Sequence, residues 1–534
     1  MSQVCYAIPS SIRGLAIRSA QGCFQQLVRL FFSLAFIALC PNQLARADQA
    51  DRADRPTNIL WIMVDDLRPS LGCYGDSNAI TPNIDRLASE SRCFLRAYCQ
   101  QAVCGPSRAS ILTGMLPDHT GVWHNRHLFR DAQPKCKTLP ELLKDNGYHT
   151  QSLGKIFSGD ARECDPPSWS VPEVLRPKGA KNYLLEENQG KGKQSPIEFA
   201  DRSDDAYPDG KLANQAIETL RQLKKDGNPF FLAVGFFRPH LPFTAPEKYL
   251  KLHSIKKFAD PLFQRAQGAP EEAYPDHLEL AGYEDIPQDE RIDGAQAMRL
   301  RQAYYACVSY VDAQVGRLLD ALNALDLDDN TIVVLMGDHG YSLGEADHWC
   351  KATNFELDTR VPLIIRKPHI TDPGVPTSAL VESVDLYPTL LDLLKLKSPN
   401  RLDGESLLEL LNNPKAQGKP AVLSQFARPF KPSEPSLMGY SLRTANMRYT
   451  RWVDWETKQI KSEELYQYGG LDEHSSTENR FTEHAFVEKK NILNQHPELA
   501  AQMRDALTEM LDRRIAKVST IDASPTRTQK KKNP

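Results

Sequence analysis

Three long apolar runs dominate the pattern of hydrophobic and polar positions along this chain: NILWIMV (Asn58–Val64), PFFLAVGFF (229–237) and TIVVLMGDHG (331–340), of which the last ends in charged residues. Continuous apolar runs of this kind are typical of strands that are buried on both faces of a parallel sheet. Helical periodicity follows the first run at 211–225 and the second at 295–325. The alternation predicts an α/β fold with a large, mostly parallel sheet sandwiched by helices.

The pattern changes in the C-terminal part of the chain. Residues 398–420 contain three prolines and several polar residues, which indicates a boundary. The stretch GYSLRTANMRYTRWVDW (439–455) then alternates apolar and polar positions, as antiparallel strands with one buried face do. We predict a catalytic domain over residues 48–418, a smaller α+β domain over 419–519 and a disordered basic tail over 520–534.

Residues 1–47 have the layout of a signal peptide. Several arginines precede an apolar stretch, LFFSLAFIALC (30–40), and Ala45-Arg46-Ala47 forms an A-x-A cleavage sequence. The apolar stretch is short for a membrane span, which needs about 20 residues. We expect an exported protein, periplasmic or extracellular, with no stable membrane insertion after cleavage. An uncleaved anchor or a buried helix is the alternative.

Composition narrows the class of partner. The chain has 65 Lys and Arg against 68 Asp and Glu, a formal net charge of −3. A general nucleic-acid binder would show a strong basic excess, so no nucleic acid is expected as a partner. The cysteines outside the leader show no paired CxxC spacing, which argues against a zinc site, and their pairing cannot be read from the sequence. An anionic substrate must therefore be bound by a few local cations in a cleft.

Charged residues end two of the predicted strands. Asp65 and Asp66 follow the first strand, and Asp338 and His339 end the third. In parallel sheets ligands bind beyond the carboxyl ends of the strands, so these residues are candidates for one site. Adjacent carboxylates can supply the oxygen ligands that a hard divalent cation prefers. Taken alone, a pair of aspartates is also common in turns and helix caps.

The run CGPSRASILTG (104–114) carries the strongest chemical signal. Cys104 precedes a predicted helix, in which Pro106 suits the first turn and Gly114 follows the last apolar residues. A helix N-terminus presents free N–H groups and a partial positive charge, and Arg108 can add a charge-assisted contact to an anion. A nucleophile at such a place suits attack on a sulfate or phosphate ester. A buried structural cysteine is the alternative.

This run matches C-x-P-S-R-x-x-x-L-T-G at every fixed position, and by it the chain resembles the type I (formylglycine-dependent) sulfatase family. The resemblance implies that a maturation enzyme converts Cys104 to formylglycine during export, and that the hydrate of formylglycine is both nucleophile and calcium ligand. One hydroxyl attacks sulfur, and the other later collapses to the aldehyde and expels sulfate. The resemblance also implies one Ca²⁺ ion, held at Asp65, Asp66, Cys104, Asp338 and His339.

Three further cationic positions complete the predicted catalytic set with Cys104 and Arg108. They are Lys155 in SLGKIF, His240 in FFRPHLPF and Lys351 in HWCKATNFE. Cations there would bind sulfate oxygens, and His240 or Lys351 could donate a proton to the departing sugar oxygen. Each of them alone is more often a solvated lysine or a core histidine. Together, in the order the family has them, they predict a substrate site.

Longer stretches narrow the resemblance to the iduronate-2-sulfatase-like branch over about residues 56–480. They are PFFLAVGFFRPHLPF, GDHGYSLGEADHWCK with TNFELDTRVPLI, and MGYSLRTANMRYTRW. This implies the alkaline-phosphatase-like (sulfatase) fold, with a smaller C-terminal domain that helps to shape the pocket. It also implies a sulfated sugar or polysaccharide as the substrate.

Two positions depart from that branch. Ser158 stands where the branch has the His of K-x-F-H, and Ala346-Asp347 stands where it commonly has His-Gly. We expect both changes near the substrate mouth, the second altering the charge near Lys351. They leave two alternatives open: a phosphate or phosphonate ester hydrolase with the same core, and a sulfoglycan-binding relative without turnover.

Overall fold

The computed structural model describes residues 57–157, 164–190, 192–258, 264–276, 279–287, 292, 294–431, 434–468 and 487–515. The predicted signal peptide (1–47), the basic tail (520–534) and Ser158 lie outside the described residues. What the sequence predicts for them stays a prediction.

Within the described residues, seven strands form one mixed sheet. In their order across the sheet they are β11 (Thr377–Glu382), β2 (Arg92–Tyr98), β10 (Arg360–Arg366), β7 (Thr331–Gly337), β1 (Asn58–Val64), β5 (Phe230–Phe236) and β3 (His149–Gly154). β1 pairs in parallel with β5 and β7, β3 pairs in parallel with β5, and β2 pairs in parallel with β11. β10 runs antiparallel to both of its neighbours. The sheet is therefore mostly parallel, as predicted.

Helices cover both faces of this sheet. The predicted helical segments 211–225 and 295–325 are confirmed as α6 (Pro208–Asp226) and α8 (Gly294–Ala324). The other α-helices of the described residues before the C-terminal sheet are α1 (Pro82–Ser89), α2 (Cys104–Thr113), α3 (Pro117–Thr120), α4 (Phe129–Ala132), α5 (Leu139–Asp145), α7 (Glu247–Leu252), α9 (Glu356–Thr359), α10 (Leu386–Leu394) and α11 (Leu408–Asn412).

The central strand β1 shows why its sequence is apolar at every position. Leu60, Ile62 and Val64 belong to one hydrophobic core, which they share with residues of α6 and α8. Trp61 and Met63 belong to a second core with residues of α2, α5 and α10. Because successive side chains of a strand point to opposite faces, both sets must be apolar when both faces are covered. Each buried aliphatic side chain contributes about 1.5–3 kcal/mol to this sandwich.

A second sheet follows in the C-terminal part. Its four antiparallel strands are β12 (Ala421–Arg428), β13 (Leu437–Thr444), β14 (Met447–Asp454) and β15 (Ile460–Gln467), which confirms the predicted antiparallel pair. Helix α12 (Pro497–Arg514) packs on it through residues such as Leu507. The domain limits predicted at 418 and 519 stay predictions.

Two smaller pairings lie near the ends of the central strands. β4 (Ile197–Ala200) pairs in parallel with β6 (Phe243–Pro246), and β8 (Ser342–Leu343) pairs with β9 (Trp349–Cys350) in an antiparallel hairpin. All eight cysteines of the described residues are free thiols.

Candidate active site

The site lies where β1, β7 and α2 converge. Asp65 and Asp66 directly follow β1, and Asp338 and His339 directly follow the parallel neighbour β7. Asp66 adopts a left-handed backbone with φ of 59° where the chain leaves the strand. Its N–H donates to Oδ1 of Asp338 at 3.1 Å. The four residues therefore lie together, as expected for side chains that follow the carboxyl ends of adjacent parallel strands.

Cys104 opens α2 and places its sulfur in this group. Sγ lies 3.4 Å from Oδ1 of Asp65 and 3.3 Å from Nε2 of His339. Asp65, Asp66, Cys104 and His339 each offer one ligand atom, and these atoms all lie within 4.8 Å of one another. Asp338 borders the group, with its Oδ2 3.6 Å from Nε2 of His339. The structure thus brings together all five predicted metal-site residues, four of them tightly and Asp338 at the edge.

The carboxylates of the donor set fit a hard divalent cation, whereas the sulfur of Cys104 and the imidazole nitrogen of His339 are softer donors. Carboxylate oxygens are the preferred ligands of Ca²⁺, whereas a thiolate suits softer metals. Burial raises the pKa of the Cys104 thiol well above its usual range, and the Asp65 carboxylate adds to the effect. The unmodified side chain is therefore a neutral thiol, a poor nucleophile and a poor ligand. An oxygen-bearing side chain at position 104 would replace the sulfur with a ligand that Ca²⁺ prefers and would leave His339 as the nitrogen donor of the set.

Arg108 lies behind the carboxylates and is fully buried. Its Nε donates to Oδ2 of Asp338 at 2.8 Å, and its Nη2 donates to Oδ1 of Asp65 at 3.1 Å. Its Nη1 donates to the backbone carbonyls of Lys155 and Ile156. Although burial opposes its charge, Asp338 and Asp65 raise its pKa further, so the guanidinium stays charged. These four bonds use four of the five N–H donors of Arg108, and its direct contact with an anion stays a prediction.

Two lysines reach the same carboxylates from the other side. Nζ of Lys155 lies 2.6 Å from Oδ2 of Asp65 and 3.2 Å from Sγ of Cys104. Nζ of Lys351 lies 2.8 Å from both carboxylate oxygens of Asp66. Despite burial of the lysines, Asp65 raises the pKa of Lys155, and Asp66 with Glu279 raises that of Lys351. In turn, although burial opposes ionisation, Lys155 and its neighbouring cations hold the pKa of Asp65 well below its usual range.

The backbone of Lys155 is fixed by a close approach of two strands. Its N–H donates to the carbonyl of Gly235 at 2.9 Å. Gly154 has a left-handed φ of 80°, and a Cβ there would lie 2.2 Å from the Gly235 carbonyl oxygen. Only glycine fits such a position, so the SLGKIF sequence places Lys155 through its glycine as well as through its strand.

Lys351 sits in a loop whose backbone is under strain on both sides. Cys350 and Ala352 have φ values of 73° and 86°, in the left-handed region that β-carbon-bearing residues rarely adopt. Such strain costs of order 1–3 kcal/mol for each residue and persists only where the surroundings enforce it. Here the buried pair of His348 and Asp358, 2.9 Å apart, holds the loop.

His240 approaches the group from the loop after β5. Its Nδ1 lies 2.6 Å from the carbonyl of Leu241, and its Nε2 lies 4.0 Å from Oδ2 of Asp66. Nε2 is also 3.3 Å from Oε1 of Glu279, whose Oε2 lies 3.0 Å from Nζ of Lys351. Glu279 therefore bridges the two candidate proton donors. Although burial opposes ionisation, Lys351 and His240 hold the pKa of Glu279 far below its usual value.

A cavity of about 320 Å³ opens onto these groups. It brings together Cys104, Lys155, His240 and Lys351 of the predicted catalytic set. Six further residues line it, none of which was predicted from the sequence as a site residue. They are Val103, Asn125, Glu279, Cys350, Ala352 and Phe430.

Asn125 connects the cavity to the start of α2. Its Oδ1 accepts a hydrogen bond from the N–H of Gly105 at 2.8 Å. A Cβ on Gly105 would lie 2.9 Å from the Cα of Asn125, so the glycine after Cys104 allows this loop to approach. The one sequence signal for Asn125 is its position in the polar loop after α3, which is too general to single it out.

Ala346 and Asp347, which differ from the iduronate-2-sulfatase-like branch, were expected near the substrate mouth but do not line the cavity. Both residues have left-handed φ values, 52° and 58°, and neither is among the residues that line the cavity in the described part of the chain. The preceding Glu345 is buried and pairs with Arg68 at 2.9 Å and Arg301 at 3.2 Å. The cavity wall keeps its cationic residues Lys155 and Lys351. Ser158 lies outside the described residues.

None of the helices in the described residues is both long enough and apolar enough to cross a bilayer.

Comparisons with known proteins identify the family to which the chain is similar. The model of the sulfatase family matches residues 57–396, more than half of the chain, and that of the N-sulphoglucosamine sulphohydrolase C-terminal region matches residues 344–497. Human iduronate 2-sulfatase is 35% identical over 510 residues, covering 81% of this chain and 91% of that protein. A sulfatase of Formosa agariphila is 33% identical, covering 72% of this chain and 78% of its own.

Solved structures show the same fold at lower identity. A protein in complex with its substrate D-glucosamine-2-N,6-O-disulfate has a TM-score of 0.66 at 22% identity, over 88% of this chain and 100% of that one. The phosphonate monoester hydrolase of Silicibacter pomeroyi has a TM-score of 0.68 at 22% identity, over 89% and 99%. The predicted alkaline-phosphatase-like (sulfatase) fold is confirmed, and so is the resemblance to iduronate 2-sulfatase. The chain belongs to the sulfatase family and is a sulfuric ester hydrolase.

Proposed function

We propose that this sulfatase removes sulfate from a sulfated sugar or polysaccharide, with formylglycine at position 104 as its nucleophile. The observation that carries the proposal is the cavity in which Cys104, Lys155, His240 and Lys351 meet beside three buried aspartates. The likeness to iduronate 2-sulfatase over most of both chains supports a sugar substrate.

The surroundings of Cys104 support its conversion to formylglycine, which the family likeness implies. A neutral thiol at the edge of an aspartate group is poorly suited to attack a sulfate ester or to bind calcium. Oxidation to formylglycine by a maturation enzyme supplies an aldehyde hydrate, whose oxygens can serve as nucleophile and ligand. The start of α2 adds the partial positive charge of a helix N-terminus beside this oxygen.

Calcium is the proposed metal. Asp65, Asp66, Asp338 and His339 would hold the ion together with the modified residue 104, and most of these ligand atoms are oxygens. When bound there, calcium supplies positive charge for the sulfate oxygens. Arg108 fixes the orientation of Asp65 and Asp338, and we assign to it a charge-assisted contact with the sulfate as well.

The remaining cations of the cavity bind the substrate. Lys155 and Lys351 donate to sulfate oxygens, because both are charged and both reach the wall beside residue 104. His240 or Lys351 protonates the departing sugar oxygen, and Glu279, in contact with both, holds the two donors side by side.

Export of the protein and modification of Cys104 precede catalysis in this proposal. Residues 1–47 direct export and are then removed, which brings the protein to the periplasm or the outside of the cell. The maturation enzyme that makes formylglycine is the protein partner this requires.

A phosphate or phosphonate ester hydrolase is the second candidate. The fold of a phosphonate monoester hydrolase matches with a TM-score of 0.68, which shows that the same scaffold is used for that chemistry. At 22% identity this likeness concerns the fold alone. Membership of the sulfatase family therefore favours the sulfate ester.

One experiment tests both the nucleophile and the ester. The exported protein, made in cells with the maturation enzyme, is digested and the mass of the peptide that contains residue 104 is measured. Turnover is then followed on iduronate 2-sulfate, N-acetylglucosamine 6-sulfate, ulvan oligosaccharides, an aryl sulfate and an aryl phosphate. We expect formylglycine and release of sulfate from a sugar. An unmodified cysteine, faster release of phosphate, or binding of sulfated sugars without turnover would each contradict the proposal.

A further inference from the structure

We propose that Cys73 and Cys93 are joined by a disulfide bond in the mature, exported protein. The inference rests on the export part of the proposed function and goes beyond the chemistry at Cys104. Both side chains are thiols in this structure, which therefore holds the reduced form of the pair.

The pair lies where the segment after β1 meets a more distant strand of the main sheet. Cys73 is the middle residue of a short helical turn, Gly72–Tyr74, and its side chain is partly exposed. Cys93 is the second residue of β2 and is buried. Because β10 and β7 separate β2 from β1, a bond between the two cysteines would tie this segment across the sheet. The closed loop would contain α1.

The two thiols are adjacent, and hydrogen bonds fasten their neighbours in the chain. Cys73 packs against the hydrophobic core that contains Cys93, and the two thiol groups are in hydrogen-bonding contact. The hydroxyl of Tyr74 donates to the carbonyl of Phe94 at 3.0 Å and accepts from the N–H of Leu363 at 2.8 Å. The turn is thereby held against β2 beside the pair. Adjacent side chains on a fixed backbone are what a disulfide bond requires.

The export compartment supplies the oxidant. Outside the cytosol, disulfides form by exchange with a thiol–disulfide oxidoreductase, whose own active-site disulfide accepts the electrons. In this step each of the two cysteines loses its thiol proton and the S–S bond between them forms. The oxidoreductase takes up two electrons and two protons and becomes a dithiol.

The surroundings of Cys73 determine when the bond forms. Its contact with Cys93 and its burial raise the pKa of the Cys73 thiol far above its usual range. Asp85, which accepts from the N–H of Cys73 at 2.7 Å, adds to this rise in pKa. The thiolate is the attacking species in thiol–disulfide exchange, so the folded, reduced pair reacts slowly, whereas thiols of the unfolded chain have ordinary pKa values. The bond is therefore made while the chain folds in the export compartment.

Peptide masses test the bond directly. The full chain, with its own residues 1–47, is produced in a bacterium with an oxidising periplasm. It is then unfolded with an alkylating reagent but no reductant, and digested. We expect the peptides that contain residues 73 and 93 to be linked in the periplasmic protein. The chain without residues 1–47, made in the cytosol, should carry an alkylated thiol at each of the two positions instead.

The unfolding midpoint gives a second measurement. Reductant should lower the midpoint of the periplasmic wild type by about 5 °C, because the closed loop no longer restricts the unfolded chain. Cys73→Ser should unfold at this lower midpoint with or without reductant. Cys307→Ala, at a buried cysteine of α8, is the control and should keep both the link and the response to reductant.

The outcomes separate this inference from the function on which it rests. Alkylation of both residues in periplasmic protein that releases sulfate would overturn the disulfide and leave the proposed function standing. A link from either cysteine to a different partner would overturn it too. Linked peptides in a protein without sulfatase turnover would contradict the proposed catalysis alone. A second version carries a host export signal in place of residues 1–47. Failure of the chain's own leader then contradicts the proposed export, and the masses of the second version still decide whether the bond forms.

Discussion

Two buried clusters of charge in this molecule look alike in composition and differ in chemistry. The active-site cluster pairs aspartates with two lysines, Lys155 with Asp65 and Lys351 with Asp66, and with the buried guanidinium of Arg108. The second, which we name the joining cluster, consists of Glu356, Arg443, Arg448 and Glu488 and links the C-terminal sheet to the residues just before β10. Its Glu356 accepts from Nε of Arg443 at 2.8 Å and from Nη2 of Arg448 at 2.7 Å.

The difference lies in which cation is used and what lies beside it. A guanidinium is a planar fork whose donors fix both partners, whereas an ammonium is a compact charge that can change partners. The lysines of the active site border a cavity of about 320 Å³, and no residue of the joining cluster lines that cavity. Buried charge alone therefore does not identify a catalytic site.

The strongest test breaks the active-site cluster alone. Cys104→Ala removes the nucleophile, and we expect turnover to fall by about 10⁴-fold or more, because no other group can form the covalent bond. The unfolding midpoint should change little. Kinetics on the best sugar sulfate and thermal unfolding measure the two effects. Cys307→Ala, at another buried cysteine, is the control and should retain turnover. Substantial activity of Cys104→Ala would refute the assigned nucleophile.

The complementary test breaks the joining cluster. Although burial opposes ionisation, Arg443 and Arg448 hold the pKa of Glu356 at about 2, so the carboxylate is charged in the folded protein. Glu356→Gln leaves two buried guanidinium groups without their anion, and we expect the free energy of unfolding to fall by about 3–5 kcal/mol. Denaturant unfolding measures this, and the exposed Glu409→Gln is the control. An inactive variant of unchanged stability would show that the cluster serves catalysis.

A milder change tests Glu279, an active-site carboxylate that is outside the proposed calcium ligand set. Glu279→Gln keeps the size of the side chain and removes the charge between His240 and Lys351. We expect kcat to fall about tenfold, since charge-assisted hydrogen bonds of about 1.5–3 kcal/mol position both donors. KM should stay or decrease, because a negative charge facing an anionic substrate is gone. The control is Glu271→Gln, whose side chain is 89% exposed. A raised KM with unchanged kcat would show that Glu279 contacts the sugar only.

The sequence predicted the parts of the site that local signals encode. Apolar runs located β1 and β7, and their ends located the aspartates and His339. The pattern around Cys104 located α2 and its capping glycine, Gly114, whose φ is 69°. Hydrophobic periodicity and helix-capping residues could predict these elements, because both signals depend only on residues that are close together in the sequence.

The residues it missed depend on distant parts of the chain. Glu279 reaches the cavity from a loop without a motif, and Asn125 reaches it only because Gly105 leaves room. The position of Arg108 on α2 was correct, but a helix start does not tell which acceptors its guanidinium will find. The joining cluster connects residues 87 and 92 positions apart, which no local pattern records.

The smallest expected effect concerns Glu488 in the joining cluster. Burial raises its pKa to about 7 from an ordinary 4.5, even though Nε of Arg448 lies 3.6 Å away. The folded protein therefore holds this proton more tightly than the unfolded chain. The stability it contributes is complete below about pH 4.5 and is lost as the pH rises through 7, with a slope of at most about 1.4 kcal/mol per pH unit.

Glu488→Gln removes that titration while its amide oxygen can still accept from the N–H of Glu356, a bond of 2.8 Å in the wild type. We expect unfolding free energies measured from pH 5 to pH 8 to decline less steeply in the variant than in the wild type. The exposed Glu456→Gln should keep the wild-type slope. Equal slopes in all three proteins would mean that Glu488 is ionised when folded. The joining cluster would then be as fully ion-paired as the active site, and only the cavity would distinguish the two.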